Sequence, residues 1–236
     1  MKRVYLGTSR SKQPMAIESA REYSPAVYER LSLCLAPIER KKYLYRIVKR
    51  LFDLVFSVIL LLLLSPLMLG IAFVLLWQGE GVWFCQERIG KDGNVFICYK
   101  FRTMVKNAPP FCPSGELYDR ERYLTPIGKW LRRYSLDELP QLFSVLKGDM
   151  SLVGYRPLIA NERDCHAIRE SLGVYRMRPG ITGYAQLMGR DDVKNKNKAL
   201  LDAYYVKNAS LWWDIALLWK TVFSALSGKG NLDADR

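Results

Sequence analysis

The sequence predicts an α+β protein in which a long hydrophobic membrane helix is joined to a small, mostly helical domain with a short β-hairpin. Three observations support this prediction. From Leu54 to Trp77 no side chain is charged, and these 24 residues would form about 36 Å of helix, enough to span a bilayer core. Residues 94–101 alternate with the period of a strand, and apolar and aromatic residues recur at helical spacing from Leu200 to Leu226.

Composition limits the kinds of partner and site. With 236 residues the chain can bury one sizeable core, and its net charge of +13 implies an anionic partner: nucleic acid, acidic lipid or a phosphorylated substrate. The five cysteines are scattered without a Cys-x-x-Cys pair, and His166 is the one histidine. A zinc site and a disulfide framework are therefore not expected, and a reducing, cytosolic setting fits best.

The N-terminal part divides at the start of the basic flank. Residues 1–39 have no strong periodicity and are interpreted as an arm of unknown role, whereas residues 40–80 hold the basic flank and the membrane helix. Pro66 follows Ser65 near the middle of the hydrophobic run, where proline predicts a kink. Basic residues flank the run on both sides, as expected if both ends face the cytoplasm. These residues leave two arrangements open: a kinked transmembrane helix, or a re-entrant hairpin. In the hairpin, Ser65 would help to satisfy the hydrogen bonds of the backbone at the bend.

After the hydrophobic run, a β-hairpin is predicted. Val82 to Arg88 and Asn94 to Phe101 form its strands around a Gly-Lys-Asp-Gly turn at residues 90–93. The period of two places Val95, Ile97, Tyr99 and Phe101 on one face. The hairpin would deliver Lys100 and Arg102 at its end, either as a solvated basic strand end or as part of a site.

A short helix is predicted next, because Thr125 can cap its start and Pro126 suits the first helical position. Arg132 and Arg133 follow on this helix. By themselves, these two arginines indicate a solvated face.

The most informative motif sets two adjacent carboxylates, Asp137 and Glu138, near Arg156. An aspartate can attack phosphorus, a neighbouring carboxylate can help to hold a divalent metal, and arginine can neutralise the developing charge. Ser135 with Glu138 also fits a capping box at a helix start, although Pro140 would crowd a first turn counted from Ser135. Either placement leaves Asp137 near a helix N-terminus, which favours a carboxylate or a phosphate.

Two later segments allow two interpretations each. Residues 175–183 place Arg178 before a Pro-Gly pair, which indicates either a plain turn or a segment that brings guanidinium and amide groups to a phosphate. Trp212, Trp213 and Trp219 suit a membrane interface, but aromatic helices also pack on protein cores.

Taken together, these motifs resemble those of the bacterial sugar transferases, the monotopic polyprenyl-phosphate phosphoglycosyl transferases. The resemblance runs from about Lys49 to about Thr221. It implies a re-entrant helix hairpin hinged at Ser65 and Pro66. Tyr155 departs from the family pattern, in which a proline more often precedes the Arg-Pro-Leu segment, and this puts the local loop shape in question.

The resemblance also implies a domain plan and a location. Residues 81–190 would form a small cytosolic catalytic domain, and residues 191–236 would form interfacial amphipathic helices. The protein would lie in the bacterial inner membrane with its catalytic domain on the cytoplasmic face.

The activity implied by the resemblance is transfer of a sugar-1-phosphate from a UDP-sugar to undecaprenyl phosphate. Asp137 would attack the β-phosphorus so that UMP leaves, and Glu138 would assist with Mg²⁺ or with the acceptor. With no histidine or cysteine cluster, Mg²⁺ would be held by Asp137 or Glu138 and by substrate phosphates. The residues implied to bind the substrate phosphates and the nucleotide are Lys100, Arg102, Arg133, Arg156 and Arg178.

A different class of function is a non-enzymatic basic membrane adaptor that recruits acidic partners by electrostatics. Its binding would decline smoothly with salt and would tolerate the loss of any one carboxylate. A nucleic-acid binder is disfavoured because no recognised reading motif accompanies the charge. Membrane lipids are expected partners in either case, and formation of a homodimer is left open by the sequence.

Overall fold

The computed structural model describes residues 43–108, 120–189 and 195–227. The predicted N-terminal arm, residues 1–39, lies outside the described residues. The α-helices are α1 (Tyr43–Gln78), α2 (Pro126–Arg133), α3 (Gln141–Lys147), α4 (Arg163–Ser171), α5 (Tyr184–Gly189), α6 (Asn195–Asn208) and α7 (Leu211–Leu226). The strands are β1 (Trp83–Ile89), β2 (Val95–Phe101), β3 (Ser151–Val153) and β4 (Gly180–Thr182). Short 3-10 helices cover Lys91–Gly93, Arg120–Tyr123, Leu136–Glu138 and Val174–Arg176.

Helix α1 is long and apolar enough to cross a membrane, judged by length and composition. It continues through Ser65 and Pro66, so the predicted division into two halves does not interrupt the helix. Proline has no N–H to donate to the carbonyl four residues earlier, which here is that of Leu62. The Ser65 hydroxyl donates to this carbonyl instead, at 2.9 Å. Ser65 thus supplies the donor that Pro66 lacks, whereas the hairpin bend for which this role was predicted stays a prediction.

One stripe of α1 is buried against the rest of the protein along both halves of the helix. In the first half, Nζ of Lys49 lies 2.9 Å from Oδ2 of Asp214 on α7. Asp214 also accepts hydrogen bonds from the hydroxyls of Tyr45 and Tyr205, at 2.8 and 2.5 Å. In the second half, the buried side chains of α1 pack in one apolar cluster with β2 and α2. Its buried members are Met68, Ile71, Leu75, Phe101 and Leu131.

The face of α1 that points away from the domain is apolar. Leu62, Leu63, Phe73 and Trp77 are all exposed there. A continuous apolar face of this length is rare on a protein surrounded only by water. This face is suited to contact with lipid.

The predicted β-hairpin is confirmed. β1 and β2 pair antiparallel from Trp83 opposite Phe101 to Ile89 opposite Val95. The face of Val95, Ile97 and Tyr99 is the more exposed one, because Phe96 and Cys98 on the other face enter the core. Since side chains alternate along a strand, Lys100 shares the inner face with Phe96 and Cys98. Because of this alternation, the side chain of Lys100 points towards the centre of the domain.

The segment around Arg178 forms neither a plain turn nor an exposed loop. It leads into β4, which pairs in parallel with β3, so that Val153 lies opposite Thr182. The strands approach closely: a Cβ added to Gly180 would lie 2.0 Å from the backbone nitrogen of Gly154. Only glycine fits such a contact. The glycines of this segment therefore have a packing role at the centre of the core.

The helical pattern from Leu200 to Leu226 is divided between α6 and α7. The break falls at Ser210, which has an extended backbone and accepts a hydrogen bond from the backbone N–H of Trp213 as the N-cap of α7. The interpretation as core residues holds for Trp213, and the interfacial interpretation of Trp212 and Trp219 stays a prediction. Trp213 packs against Tyr184, Tyr204 and Tyr205, whereas the side chains of Trp212 and Trp219 are 81% and 68% exposed.

Candidate active site

Helix α2 begins as its sequence predicts. The backbone N–H of Gly128 donates to Oγ1 of Thr125 at 3.0 Å, and Pro126 occupies the first helical position. A Cβ added to Gly128 would lie 2.0 Å from the carbonyl oxygen of Thr103, so the helix packs directly on the chain that leaves β2. This contact joins the end of the β-hairpin to the turn that carries Asp137.

That turn does not contain the predicted capping box. Ser135 has φ of 55°, in the left-handed region, and its side chain makes no capping hydrogen bond. Glu138 does not reach back to Ser135, because its side chain is bound by basic residues instead. A left-handed conformation is strained for a residue with a Cβ. It turns the chain sharply, so that Leu136–Glu138 forms a short 3-10 helix before α3 begins at Gln141.

Two of the predicted basic residues meet the acidic pair. Nζ of Lys100 lies 2.6 Å from Oε1 of Glu138 and 4.0 Å from Oδ2 of Asp137. Nη1 of Arg156 lies 3.3 Å from the same oxygen of Glu138. Glu138 is therefore held by two cations, whereas Lys100 reaches Asp137 only at the limit of an ion pair.

Asp137 is the more unusual of the two acids. Its side chain is buried, and its Oδ1 accepts no hydrogen bond within the described part of the chain. Burial raises the pKa of Asp137 to about 6, against the opposing charge of Lys100. A buried polar atom without a partner costs stability, so its retention in a fold is typical of a functional site.

Glu138 has the opposite electrostatic behaviour. Burial by itself would raise its pKa, but the charges of Lys100 and Arg156, with the hydrogen bonds that both donate, lower the pKa to about 2. Glu138 is thus ionised at every physiological pH. Adjacent acids whose environments separate their pKa values are suited to different roles. Here Glu138 is a fixed anion, and Asp137 has an oxygen free to react or to bind a ligand.

The pair could take part in a magnesium site but could not complete one. Within the described residues, no group of three or more His, Cys, Asp and Glu side chains could hold a metal ion. Mg²⁺ often binds through one or two carboxylates together with water and substrate phosphates. The free Oδ1 of Asp137 and the nearby carboxylate of Glu138 fit such a partial site.

The other predicted phosphate-binding residues are not gathered at this pair. Arg102 donates to the carbonyl of Trp83, at 3.0 Å. Arg133 is exposed, and its guanidinium carbon lies 5.9 Å from the ring centre of Tyr134. Arg178 donates through Nε to the carbonyl of Gly148, at the far end of α3 from Asp137. The roles of Arg102, Arg133 and Arg178 towards substrate stay predictions.

Arg132, rather than Arg133, acts electrostatically on the acidic pair. Its charge lowers the pKa of Asp137 against the effect of burial. Its Nε donates to Oγ1 of Thr103 at 3.0 Å, which fixes the side chain on the inner side of α2. The resemblance had implied Arg133, and not Arg132, as the phosphate-binding member of this pair of arginines.

One contributing residue, Arg169 on α4, had no signal in the sequence. Its guanidinium is buried and lies 2.5 Å from Oδ2 of Asp202 on α6. Its Nη1 donates to the backbone carbonyl of Arg156 at 3.0 Å. The same guanidinium lies over the ring of Tyr155, 5.1 Å from its centre. Tyr155 thus fills a buried place beside Arg169, and Arg169 holds the backbone from which Arg156 reaches Glu138.

Comparison with known proteins gives consistent matches. The family model described as "Bacterial sugar transferase" matches residues 44–228. An undecaprenyl-phosphate galactose phosphotransferase of Salmonella typhimurium is 38% identical over 78% of this chain and 42% of its own length. A UDP-N-acetylgalactosamine-undecaprenyl-phosphate N-acetylgalactosaminephosphotransferase of Aeromonas hydrophila is 39% identical over 79% of this chain and 45% of its length. An exopolysaccharide production protein of Rhizobium meliloti is 36% identical over 78% of this chain and 87% of its length. The chain thus spans less than half of the first two relatives.

Proposed function

Because this chain belongs to the bacterial sugar transferase family, we propose that it transfers a sugar-1-phosphate from a UDP-sugar to undecaprenyl phosphate. The products are undecaprenyl-diphospho-sugar and UMP, and the reaction is the first membrane step in the synthesis of a polysaccharide or glycoconjugate. The observation that carries this proposal is the buried acid pair, in which Glu138 is neutralised by Lys100 and Arg156 while Oδ1 of Asp137 has no partner within the described residues.

The proposed reaction has two displacements at one phosphorus atom. Ionised Asp137 attacks the β-phosphorus of the UDP-sugar, and the bond from this phosphorus to the bridging oxygen breaks, so that UMP leaves with the electron pair. An oxygen of the lipid phosphate then attacks the same phosphorus and releases the carboxylate of Asp137. Covalent catalysis of this kind replaces one difficult step with two easier ones. Lys100 and Arg156 supply positive charge near the transferred phosphoryl group.

The acid pair also fits the Mg²⁺ ion that we propose as the cofactor. Asp137 and Glu138 would hold it together with phosphate oxygens of the substrate. When bound, such an ion neutralises charge on the diphosphate and so helps UMP to leave.

We further propose that α1 enters and leaves the cytoplasmic leaflet of the inner membrane without crossing it. Both halves of the helix contact the same domain: Lys49 pairs with Asp214, and Ile71 packs beside Phe101. If α1 were straight and crossed the membrane, its second half would lie far from a domain that stays on the cytoplasmic side of the membrane. Pro66 lies inside the helix, where proline favours a kink, and basic residues flank the hydrophobic run on both sides. Both features support the same arrangement.

The test of this topology uses single cysteines at one exposed and one partly exposed position. In a variant without the five native cysteines, Leu44→Cys and Lys91→Cys are each expected to resist a membrane-impermeant thiol reagent in intact cells. Both should react after the cells are permeabilised. If one position reacts in intact cells and the other does not, α1 crosses the membrane and the re-entrant proposal fails.

The chemistry is tested with purified protein in nanodiscs, a panel of UDP-sugars, undecaprenyl phosphate and Mg²⁺. EDTA should stop UMP release, and added Mg²⁺ should restore it. Without lipid acceptor, UMP should appear as a burst of at most about one per active site, and the kinetics with acceptor should be ping-pong. A covalent phosphosugar adduct should be seen on the intact protein by mass spectrometry.

Two negative results separate the parts of the proposal. Intersecting double-reciprocal lines without burst or adduct would rule out the aspartyl intermediate and leave the transfer reaction standing. No transfer from any sugar in the panel, combined with salt-sensitive binding of acidic lipids, would favour the membrane adaptor instead.

A further inference from the structure

Two arginines from distant parts of the chain converge on the C-terminal end of α3. Arg50 on α1 donates to the carbonyls of Val145 and Leu146, at 2.7 and 3.1 Å. Arg178 donates through Nε to the carbonyl of Gly148 at 2.7 Å. A Cβ added to Gly148 would lie 3.5 Å from Nη2 of Arg50, so both guanidinium groups lie beside this glycine.

No carboxylate pairs directly with these two arginines within the described residues, although the charge of Asp53 acts on Arg50. The two guanidinium groups repel each other. Asp149, which follows Gly148 in sequence, pairs with Lys147 at 3.2 Å. The C-terminus of a helix carries about half a negative charge, less than two arginines require.

Each guanidinium also has more N–H donors than its bonds to carbonyls use. Arg50 and Arg178 are both partly exposed to solvent. Donors in this forked arrangement match the oxygens of a phosphate group, and two adjacent guanidinium groups can bind one phosphate from two sides.

The position along α1 points to the source of the phosphate. Arg50 is the last basic residue before the uncharged run from Leu54 to Trp77. Its neighbour Leu51 is exposed, so an apolar surface begins beside the arginine. Lipid phosphates lie at such a boundary between the polar and hydrocarbon layers of a membrane.

We propose that Arg50 and Arg178 form a binding site for the headgroup phosphate of an anionic phospholipid, separate from the acid pair. Helix α3 separates the two sites, because its seven residues span about 10 Å from the end nearest Glu138 to the end at Gly148. The proposal rests on the membrane placement of α1 and not on the transfer reaction. Bound phospholipid would fasten the first half of α1 to the core of the domain.

The test compares the full-length protein in nanodiscs of phosphatidylcholine with the protein in nanodiscs that also contain phosphatidylglycerol. The wild type is expected to gain about 3 °C or more in Tm from phosphatidylglycerol, because a ligand that binds the folded state stabilises it. Arg50→Gln and Arg178→Gln should each lose this gain. Arg46→Gln, which removes the same charge one turn earlier on α1, should keep it.

The gain in Tm is the informative quantity, because loss of either arginine also removes a cap from α3 and lowers the baseline Tm. If a glutamine variant does not fold, Arg50→Lys and Arg178→Lys are used instead, because lysine keeps the charge but lacks the paired N–H donors of a guanidinium. Each lysine variant should show less than half of the wild-type gain in Tm. UMP release by the wild type reports on the transfer reaction, so failure of either proposal is seen separately.

Three results would overturn the assignment. Equal gains in the wild type and in the Arg50 and Arg178 variants would show that the arginines serve only to cap α3. An equal gain from inorganic phosphate in phosphatidylcholine nanodiscs would show that the site binds a free anion. A gain from undecaprenyl phosphate but none from phosphatidylglycerol would place the pair in the acceptor site.

Discussion

Asp137→Asn is expected to reduce UMP release by about 10³-fold or more, because the change removes the anionic oxygen that attacks phosphorus. The substitution changes the volume of the side chain very little. Lys100 and Arg156 keep their contacts with Glu138, so the site should stay assembled. Asp92→Asn is the matched control, since Asp92 lies exposed at the tip of the β-hairpin in a left-handed conformation that asparagine also adopts. It should retain full activity.

The same variant has a second, opposite effect on stability. The pKa of Asp137 is raised from 3.8 to about 6 in the folded protein. A carboxyl that binds its proton more tightly when folded destabilises the fold once it ionises, so the cost is present above about pH 6 and vanishes below the unfolded value of 3.8. Asp137→Asn should therefore melt at or above the wild-type Tm at pH 7.5.

An Asp137→Asn variant that keeps near-wild-type UMP release would rule out Asp137 as the nucleophile.

Lys100→Met is expected to lower kcat/KM about 10²-fold at neutral pH and to move the acid limb of the pH profile upwards. The charge of Lys100 opposes the effect of burial on Asp137, so its removal raises the pKa of Asp137 above the value of about 6. More of the nucleophile is then protonated at pH 7. The measurement is kcat/KM from about pH 5 to pH 9 for the wild type and the variant.

Lys91→Met is the control for this prediction, because Lys91 lies at the far tip of the same β-hairpin, where it pairs with Asp92. It should leave both the rate and the pH profile unchanged. An acid limb that stays in place in Lys100→Met would show that the lysine does not set the ionisation of Asp137, whatever the loss of rate.

Local patterns in the sequence predicted well the elements that carry the candidate site. The β-hairpin, the cap of Thr125 on α2 and membership of the family are confirmed. Each of these features depends on residues close in sequence or on a motif with a fixed spacing. Such features are what local pattern analysis can detect.

The features that were missed depend on contacts between distant residues or on unusual backbone. Ser135 fits a capping box by residue type, but its left-handed backbone takes the side chain out of that role. Arg169 and Asp202 are 33 residues apart and belong to helices whose patterns do not reveal the pairing. The sequence also did not reveal that the parallel pairing of β3 and β4 places Arg178 at the other end of α3 from the acid pair, although its predicted role towards substrate is untested.

The contact between Lys49 and Asp214 has a consequence for the order in which the protein is made. These residues are 165 positions apart, so a ribosome needs on the order of ten seconds or more to reach the aspartate after it has incorporated the lysine. During that interval α1 is already hydrophobic enough to enter a membrane, but the acid that Lys49 pairs with does not yet exist. Polar attachment of the first half of α1 is therefore a late event, and a nascent chain that stops before α7 would lack it, even where the second half of α1 already packs on β2 and α2.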